Sequence, residues 1–319
     1  MRVIQGYSGL VDARGAAIAI GNFDGVHRGH QVLLARAIEA GRAERCPAGV
    51  MIFEPHPREF FRPAELHFRL TPLREKLRLF ERLGLDLAIV LPFDAALARL
   101  PAERFIAEIL VDRLRVRHVI IGYDFFFGKD RGGNPDTMRS AGRERGFEVT
   151  VIAPVAEAGE VFSSSAIRAQ LSAGDVKGAA FALGHWWRAA GVVSGGAKRG
   201  TGLGFPTANI VLPAGVALGH GIYAARVYVG AERYGAAAYL GTRPTFDHGA
   251  PILEVFLLDF DGDLYGREIE VEFLDLIRED QRFSDLEALK AQMAEDCDKA
   301  RRIIADVEAA SPLAPSPLA

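Results

Sequence analysis

Apolar residues along the first half of the chain fall into short, mostly apolar runs, separated by stretches whose apolar positions recur at helical spacing. The runs AAIAIG, AGVMIF, LDLAIVL, VRHVIIG and FEVTVIA alternate with HQVLLARAIEAGR, TPLREKLRLFERLG and PAERFIAEILVDRL. Continuous apolar strands alternating with amphipathic helices predict an α/β domain on a mostly parallel sheet covered on both faces. Such sheets bind ligands beyond the carboxyl ends of their strands. SSSAIRAQLSAGDVKGAAFALG then predicts two short helices, with Asp175 capping the second.

Near Gly184 the pattern changes. WWRAAGVVSG, TANIVLP, GIYAARVYVG, RYGAAAYLG, ILEVFLLDF and EIEVEFLDLI are short strands divided by glycine-rich turns. Closely spaced antiparallel strands protect their edges best by closing into a barrel, and the amphipathic stretch SDLEALKAQMAEDCDKARRIIADVEA supplies one long helix to pack on it. DFDGDLYG lacks the ligand spacing and closing glutamate of an EF-hand and predicts a hairpin turn around Asp261 and Gly262. The expected division is therefore an α/β domain over 1–184, a small β-barrel with its helix over 185–309 and a disordered tail over 310–319.

Composition narrows the class of function. At 319 residues, 49% hydrophobic, 25% charged and a net charge of −3, the chain fits two globular domains and not a basic nucleic-acid coat. Its two cysteines, Cys46 and Cys297, have no metal-type spacing and suit a reducing cytoplasm. No apolar run approaches the ~18 residues of a membrane span, and MRVIQGYSGL lacks a signal-peptide pattern.

The candidate chemistry begins at GNFDGVHRGH, residues 21–30. Gly21, Gly25 and Gly29 let the backbone approach a ligand after a strand, and the following helix start offers amides and a positive dipole end to an anion. His27 and His30 there can stabilise charge on a phosphoryl group. A zinc pair would need further ligands, and His56 and His67 lack metal-type spacing. A strand followed by FDGVHRGH resembles the HxGH signature of the nucleotidyltransferase superfamily, a Rossmann-like parallel-sheet fold, and FSSSAIR resembles that superfamily's second phosphate-binding turn. The resemblance implies that Ser163, Ser164 and Arg168 hold the β and γ phosphates of ATP while His27 and His30 act at the α phosphate. Phe23 and Asp24 of the same loop join the expected ATP contacts.

FEPHPREFF and GYDFFFGKDRGGN resemble the flavin-handling loops of bacterial FAD synthetases. This implies flavin contacts from Pro55, His56, Pro57, Asp124, Phe127 and Asn134, although at least one of Phe125, Phe126 and Phe127 is expected to be core. In the second half SGGAKRGTGLGFPTANI matches neither a Walker loop nor a dinucleotide fingerprint. It offers a glycine loop able to wrap phosphates, with Gly196, Lys198, Arg199, Gly204 and Pro206, and the oxygens of Thr207 and Asn209 to reach one Mg²⁺.

GFPTAN, LGTRPTF and LEVFLLDFDGDLYG occur in the order seen in riboflavin kinases. The whole chain thus resembles the bifunctional bacterial riboflavin kinase and FMN adenylyltransferase family. Riboflavin, FMN and ATP are the implied small-molecule partners, with Mg²⁺ for both steps. Glu254 is the implied general base, and Arg243 and Phe283 are further implied flavin contacts. Ser165 and Ala166 stand where many relatives have threonine and arginine, which leaves Arg168 to serve from that turn, and Phe256 stands where a histidine is expected. Two other readings compete with this one: a flavin-binding sensor or storage protein that has lost one or both activities, and a nucleotidyltransferase for another phosphate ester. The intact His27, His30, Thr207, Asn209 and Glu254 argue against the first, and the barrel motifs against the second.

Overall fold

The computed structural model describes residues 1–157, 159–195, 205–242 and 251–309, and it divides into two compact units, one ending at Ser164 and one beginning at Ser165. The expected tail, 310–319, lies outside the described residues.

The first unit is built on six parallel strands: β1 (Arg2–Gln5), β2 (Ala17–Ile20), β3 (Ala48–Glu54), β4 (Leu87–Pro92), β5 (His118–Gly122) and β6 (Glu148–Ile152). Their spatial order is β1-β4-β3-β2-β5-β6, and β7 (Ala156–Glu157) and β8 (Glu160–Val161) form a separate two-stranded sheet. Both faces of the sheet are covered. In β2, Ile18 and Ile20 enter one core with Met51, Ile89 and Val119, while Ala17 and Ala19 enter the other with Val50, Ile52 and Ile120. That double burial is why these strands are apolar without alternation. Successive crossovers lead from β2 to β3 on one side and onward to β5 on the other, so the order reverses between β2 and β5. A crevice opens at such a switch point.

The helices of this unit are α1 (Arg28–Glu44), α2 (Pro57–Phe61), α3 (Leu73–Arg82), α4 (Ala95–Ala98), α5 (Ala102–Arg104), which runs into a π-helical stretch Phe105–Arg113, and α6 (Pro135–Arg145). β1, α2 and α6 were not expected. β1 is a four-residue edge strand with one buried residue, Ile4, and α6 buries only Met138 and Gly142.

Two helices open the second unit, α7 (Ser164–Ser172) and α8 (Val176–Leu183), with Asp175 accepting from the Gly178 amide at 2.8 Å as the expected cap. They are followed by β9 (Arg188–Ser194), β10 (Ala208–Val211), β11 (Gly221–Val229), β12 (Glu232–Thr242), β13 (Pro251–Leu257) and β14 (Glu268–Arg278), closed into an antiparallel barrel in the order β10-β13-β12-β11-β14-β9. The long helix α9 (Leu286–Ala309) lays Ala300, Cys297, Ile303 and Ile304 against Ala224, Phe256 and Leu258. Phe256 therefore serves packing where a histidine was expected, and its ring also meets Phe205 at 5.2 Å.

The compact units part twenty residues before the expected boundary at Gly184, because α7 and α8 dock on the barrel. Ser172 donates to the Ala217 carbonyl at 2.8 Å, and Lys177 pairs with Asp275 at 2.5 Å. The expected hairpin around Asp261 and Gly262 is not present. β13 pairs with β10 and β12, and β14 with β9 and β11, so the connection joins strands that are not neighbours.

Candidate active sites

In the first unit the loop from Gly21 to His27 leaves β2 beside the switch point and delivers the chain into α1. Two of its non-glycine residues, Phe23 (φ 49°) and Val26 (φ 44°), are left-handed, as is Gly25 (φ 89°). A β-branched residue in that region costs about 1–3 kcal/mol and persists only where the surroundings fix it. Here Val26 is fully buried and Phe23 packs edge-on to Phe80 at 5.8 Å. The side chain of Phe23, an expected ATP contact, is thus core.

Buried Asp24 accepts from the amides of Thr71 at 3.1 Å and Leu70 at 3.3 Å, the Gly25 amide donates to Thr71 Oγ1 at 2.9 Å, and Ser164 Oγ donates to the Asp24 carbonyl at 2.8 Å. The carboxylate expected on ATP is accordingly a tether for the loop. Lys76 of α3, 3% exposed, adds a second tether by donating to the Asn22 carbonyl at 2.8 Å.

This scaffold holds the histidine pair. His27 is the N-cap of α1, its Nδ1 accepting from the His30 amide at 3.3 Å, and the two rings stack at 3.6 Å and 20°. His30 also meets Phe23 at 5.1 Å, and its Nδ1 is buried without a hydrogen-bond partner. Burial pushes the His27 imidazole down to about 4 against an upward pull from Asp24, and burial, with the charges of His27 and Lys76, holds His30 well below the ordinary range. Both rings are therefore neutral at pH 7 in the free protein and present N–H donors beside the amides of a helix start.

Two expectations follow. Between pH 6.5 and about 4 the unfolded chain takes up protons at these rings and the folded chain does not, so stability falls as pH falls through that window. His27 alone accounts for about 3 kcal/mol over the full window, of which about 2 kcal/mol falls between pH 7 and pH 5, and denaturant unfolding of the full chain at those two pH values measures that part. At Gly29 an added Cβ would stand 3.1 Å from both Cε1 and Nδ1 of His27. Gly29→Ala is expected to push the ring off its stack and lower the adenylyl transfer that the family resemblance implies for this site roughly tenfold, because about 1 Å of misplacement can cost about 100-fold; steady-state rates with the implied substrates check this.

Around the loop bearing Pro55, His56 and Pro57, Arg69 bonds Glu54 at 2.7 and 3.0 Å and Glu59 at 2.6 Å. His56 caps α2 by accepting from the Arg58 amide at 3.1 Å, lies 4.8 Å from the His67 ring, and is pushed down to about 4 by burial. Of the three consecutive phenylalanines, Phe127 is core, stacked on Phe125 at 5.3 Å, while Phe126 is 47% exposed with Arg131 over its ring at 4.7 Å. Phe127, an expected flavin contact, is thus largely buried, and Phe126 is the exposed ring of the three. Asp124 is exposed beside it. Asn134 caps α6, its Oδ1 accepting from the amides of Asp136 at 2.9 Å and Thr137 at 3.0 Å, so that oxygen is committed to the helix.

Ser163 and Ser164 lie at the start of α7, and Arg168 follows one turn later, in the second unit.

In the barrel, Asn209 of β10 stands directly opposite Glu254 of β13, which is opposite Tyr239 of β12 on its other side. Their neighbours Ala208, Ile210, Leu253 and Val255 are buried, so strand alternation puts Asn209 and Glu254 together on the outer face, with Cβ atoms about 5 Å apart. Asn209 Nδ2 donates to the Thr207 carbonyl at 3.3 Å, which orients its Oδ1 as the acceptor and brings Thr207 to the same place. Hard oxygens of this kind suit Mg²⁺, which takes one or two protein oxygens and completes its shell with water and phosphate. Among the described residues no group of three or more His, Cys, Asp or Glu could hold a metal ion.

Pro206 is exposed at the start of this segment. Phe283 lies in the segment between β14 and α9, 5.6 Å from Arg278, which is anchored by Asp296 at 2.8 Å. Gly196, Lys198, Arg199, Gly204 and Arg243 lie outside the described residues. Sequence reasoning passed over Thr71, Lys76 and Arg69, which fix the first site's loops.

Comparison with known proteins matches a FAD synthetase family model to residues 11–166 and a riboflavin kinase family model to residues 183–304. A bifunctional riboflavin kinase/FMN adenylyltransferase of Escherichia coli K12 is 42% identical over 299 residues, covering 93% of this chain and 96% of that protein. One from Pseudomonas fluorescens is 41% identical over 307 residues, covering 96% and 98%. A crystal structure from Streptococcus pneumoniae, named a macrolide-efflux protein, has a TM-score of 0.85 at 29% identity and covers 94% of this chain and 99% of its own. Among the described residues no helix is long and apolar enough to cross a membrane.

Proposed function

Because the chain belongs to the bifunctional riboflavin kinase/FMN adenylyltransferase family, we propose that residues 1–184 carry the adenylyl transfer and residues 185–309 the phosphorylation. The two reactions are riboflavin plus ATP giving FMN and ADP, and FMN plus ATP giving FAD and pyrophosphate. A sensor or storage protein is not favoured.

For adenylyl transfer, the neutral imidazoles of His27 and His30 donate hydrogen bonds to the α phosphate of ATP as the FMN phosphate attacks and pyrophosphate leaves. The observation that carries this assignment is their 3.6 Å stack on the N-terminus of α1. A helix start stabilises phosphate charge with amides and dipole, and preorganised donors cost no reorganisation in the transition state. Gly21, Gly25 and Gly29 give the backbone access. Ser163, Ser164 and Arg168 are assigned to the β and γ phosphates on their motif alone. Pro55, His56, Pro57, Asp124 and the exposed Phe126 are assigned to the flavin.

For phosphorylation, Glu254 takes the proton from the ribityl 5′-hydroxyl as it attacks the γ phosphate of ATP. Thr207 and Asn209 would hold Mg²⁺ by their side-chain oxygens, and Phe283 borders the flavin. When bound, Mg²⁺ neutralises charge on the transferring phosphate. Both steps are in-line displacements in which the protein supplies position and charge neutralisation. A cytoplasmic setting agrees with two free cysteines, of which Cys297 is half-buried against the barrel with its thiol pushed up to about 11 by burial.

Incubation with riboflavin, ATP and Mg²⁺, followed by chromatography, is expected to show FMN rising first and FAD following. Riboflavin that stays unchanged while bound contradicts the reading.

A further inference from the structure

Lys76 is 3% exposed, and its ammonium bonds a main-chain carbonyl, that of Asn22, at 2.8 Å. A buried ammonium is costly unless it is paired with an anion. Five other charged or titratable groups share its electrostatic surroundings: Asp24 from the loop after β2, Glu54 at the end of β3, Glu59 on α2, Arg69 before α3, and His30 on α1. His56, the cap of α2, also feels its charge. The carboxylates are engaged elsewhere. Glu54 and Glu59 are bound by Arg69, and Asp24 accepts from the amides of Leu70 and Thr71. The Lys76 charge thus acts on His30 while its hydrogen bond grips the loop that presents the histidine pair. The buried, unpartnered Nδ1 of His30 lies within reach of that charge.

We infer that Lys76 is a positioning residue for adenylyl transfer: its ammonium holds the Gly21–His27 loop through the Asn22 carbonyl and supplies positive charge beside His30, where the triphosphate of ATP binds. This rests on the adenylyltransferase reading of the first unit. It explains why a lysine occupies the buried face of α3, alongside Leu79 and Phe80, where an apolar residue would be cheaper to bury. The same charge works against protonation of His30 and His56 and helps to keep them as neutral donors.

Three variants of the full chain separate charge from hydrogen bond. Lys76→Arg keeps both, Lys76→Gln keeps a donor without the charge, and Lys76→Met keeps neither. FAD formation is measured with supplied FMN and varied ATP from pH 4.5 to 8, with FMN formation from riboflavin as control. Lys76→Gln and Lys76→Met are expected to lose about 100-fold in kcat/KM for adenylyl transfer, the scale of one preorganised electrostatic donor. The loss should include a raised KM for ATP. The acid limb of their pH profiles should move toward neutrality, because removing the charge lets the imidazoles take up protons more readily. Lys76→Arg should stay within about tenfold and keep the limb in place, and FMN formation should change less than about twofold in all three.

If Lys76→Met does not fold, Lys76→Gln decides. A Gln variant with near wild-type kcat/KM and an unmoved acid limb overturns the inference. Wild-type protein that makes no FAD from FMN and ATP overturns the adenylyltransferase reading instead.

Discussion

Replacing His27 and His30 together with alanine will lower FAD formation from supplied FMN and ATP by about 1,000-fold or more, while FMN formation from riboflavin continues. Removing one preorganised donor from a developing oxyanion costs about 100- to 1,000-fold, and two donors acting on one phosphate lose at least that. The pair is placed for this role by the N-terminus of α1, the 3.6 Å stacking of the rings and the hydrogen bond from the His30 amide to His27 Nδ1. Burial keeps both rings neutral in the free protein. The substitution therefore also removes groups that must take up protons when the chain unfolds in mild acid. The variant should lose less stability than wild type between pH 7 and pH 5, even though it leaves a cavity beside Phe23. Denaturant unfolding at the two pH values reads this second effect independently of activity.

Glu254→Gln is expected to lower FMN formation by about 100- to 10,000-fold, the range a positioned general base supplies, and to leave FAD formation from supplied FMN in place. The isosteric amide keeps the hydrogen-bonding shape of the side chain and removes its basicity. Glu254 lies on the outer face of the barrel, between buried Leu253 and Val255, so the barrel core is untouched. Its position opposite Asn209 ties it to the segment that carries Thr207. Rates measured separately with riboflavin and with FMN as substrate check the prediction.

Much of this was legible in the sequence because burial and alternation write themselves into composition. AAIAIG and the LAIVL of LDLAIVL are apolar throughout because both faces of the sheet are covered, and ILEVFLLDF places Glu254 between two core residues. The helix start at His27 was legible because glycines precede it and a histidine can cap it. Less legible were features decided by tertiary contact. β1 carries one buried residue in four, too little pattern for a strand that pairing alone defines. FFF is uniform as a sequence, and only packing against Phe105 and Gly133 makes Phe127 core while Phe126 is exposed.

Some signals were present and passed over. Asn134 followed by Pro135 is the cap and first position of a helix, a signal that predicts α6. Lys76 sits three and four residues before Leu79 and Phe80, on the buried face of α3, where a charge is out of place in an amphipathic pattern. The connection after β13 looked like a hairpin because DFDGDLYG has turn composition, but composition does not choose the strand that pairs next.

The central claim is that two separate sites act in sequence, with FMN as the product of one and the substrate of the other. The most direct test mixes equal amounts of the His27/His30 double alanine variant and Glu254→Gln with riboflavin, ATP and Mg²⁺, and follows the flavins by chromatography. The account predicts that neither variant alone carries riboflavin through to FAD, whereas the mixture does, with FMN made by the first variant and adenylylated by the second. A mixture that forms no FAD, because either variant has lost both activities, would contradict it.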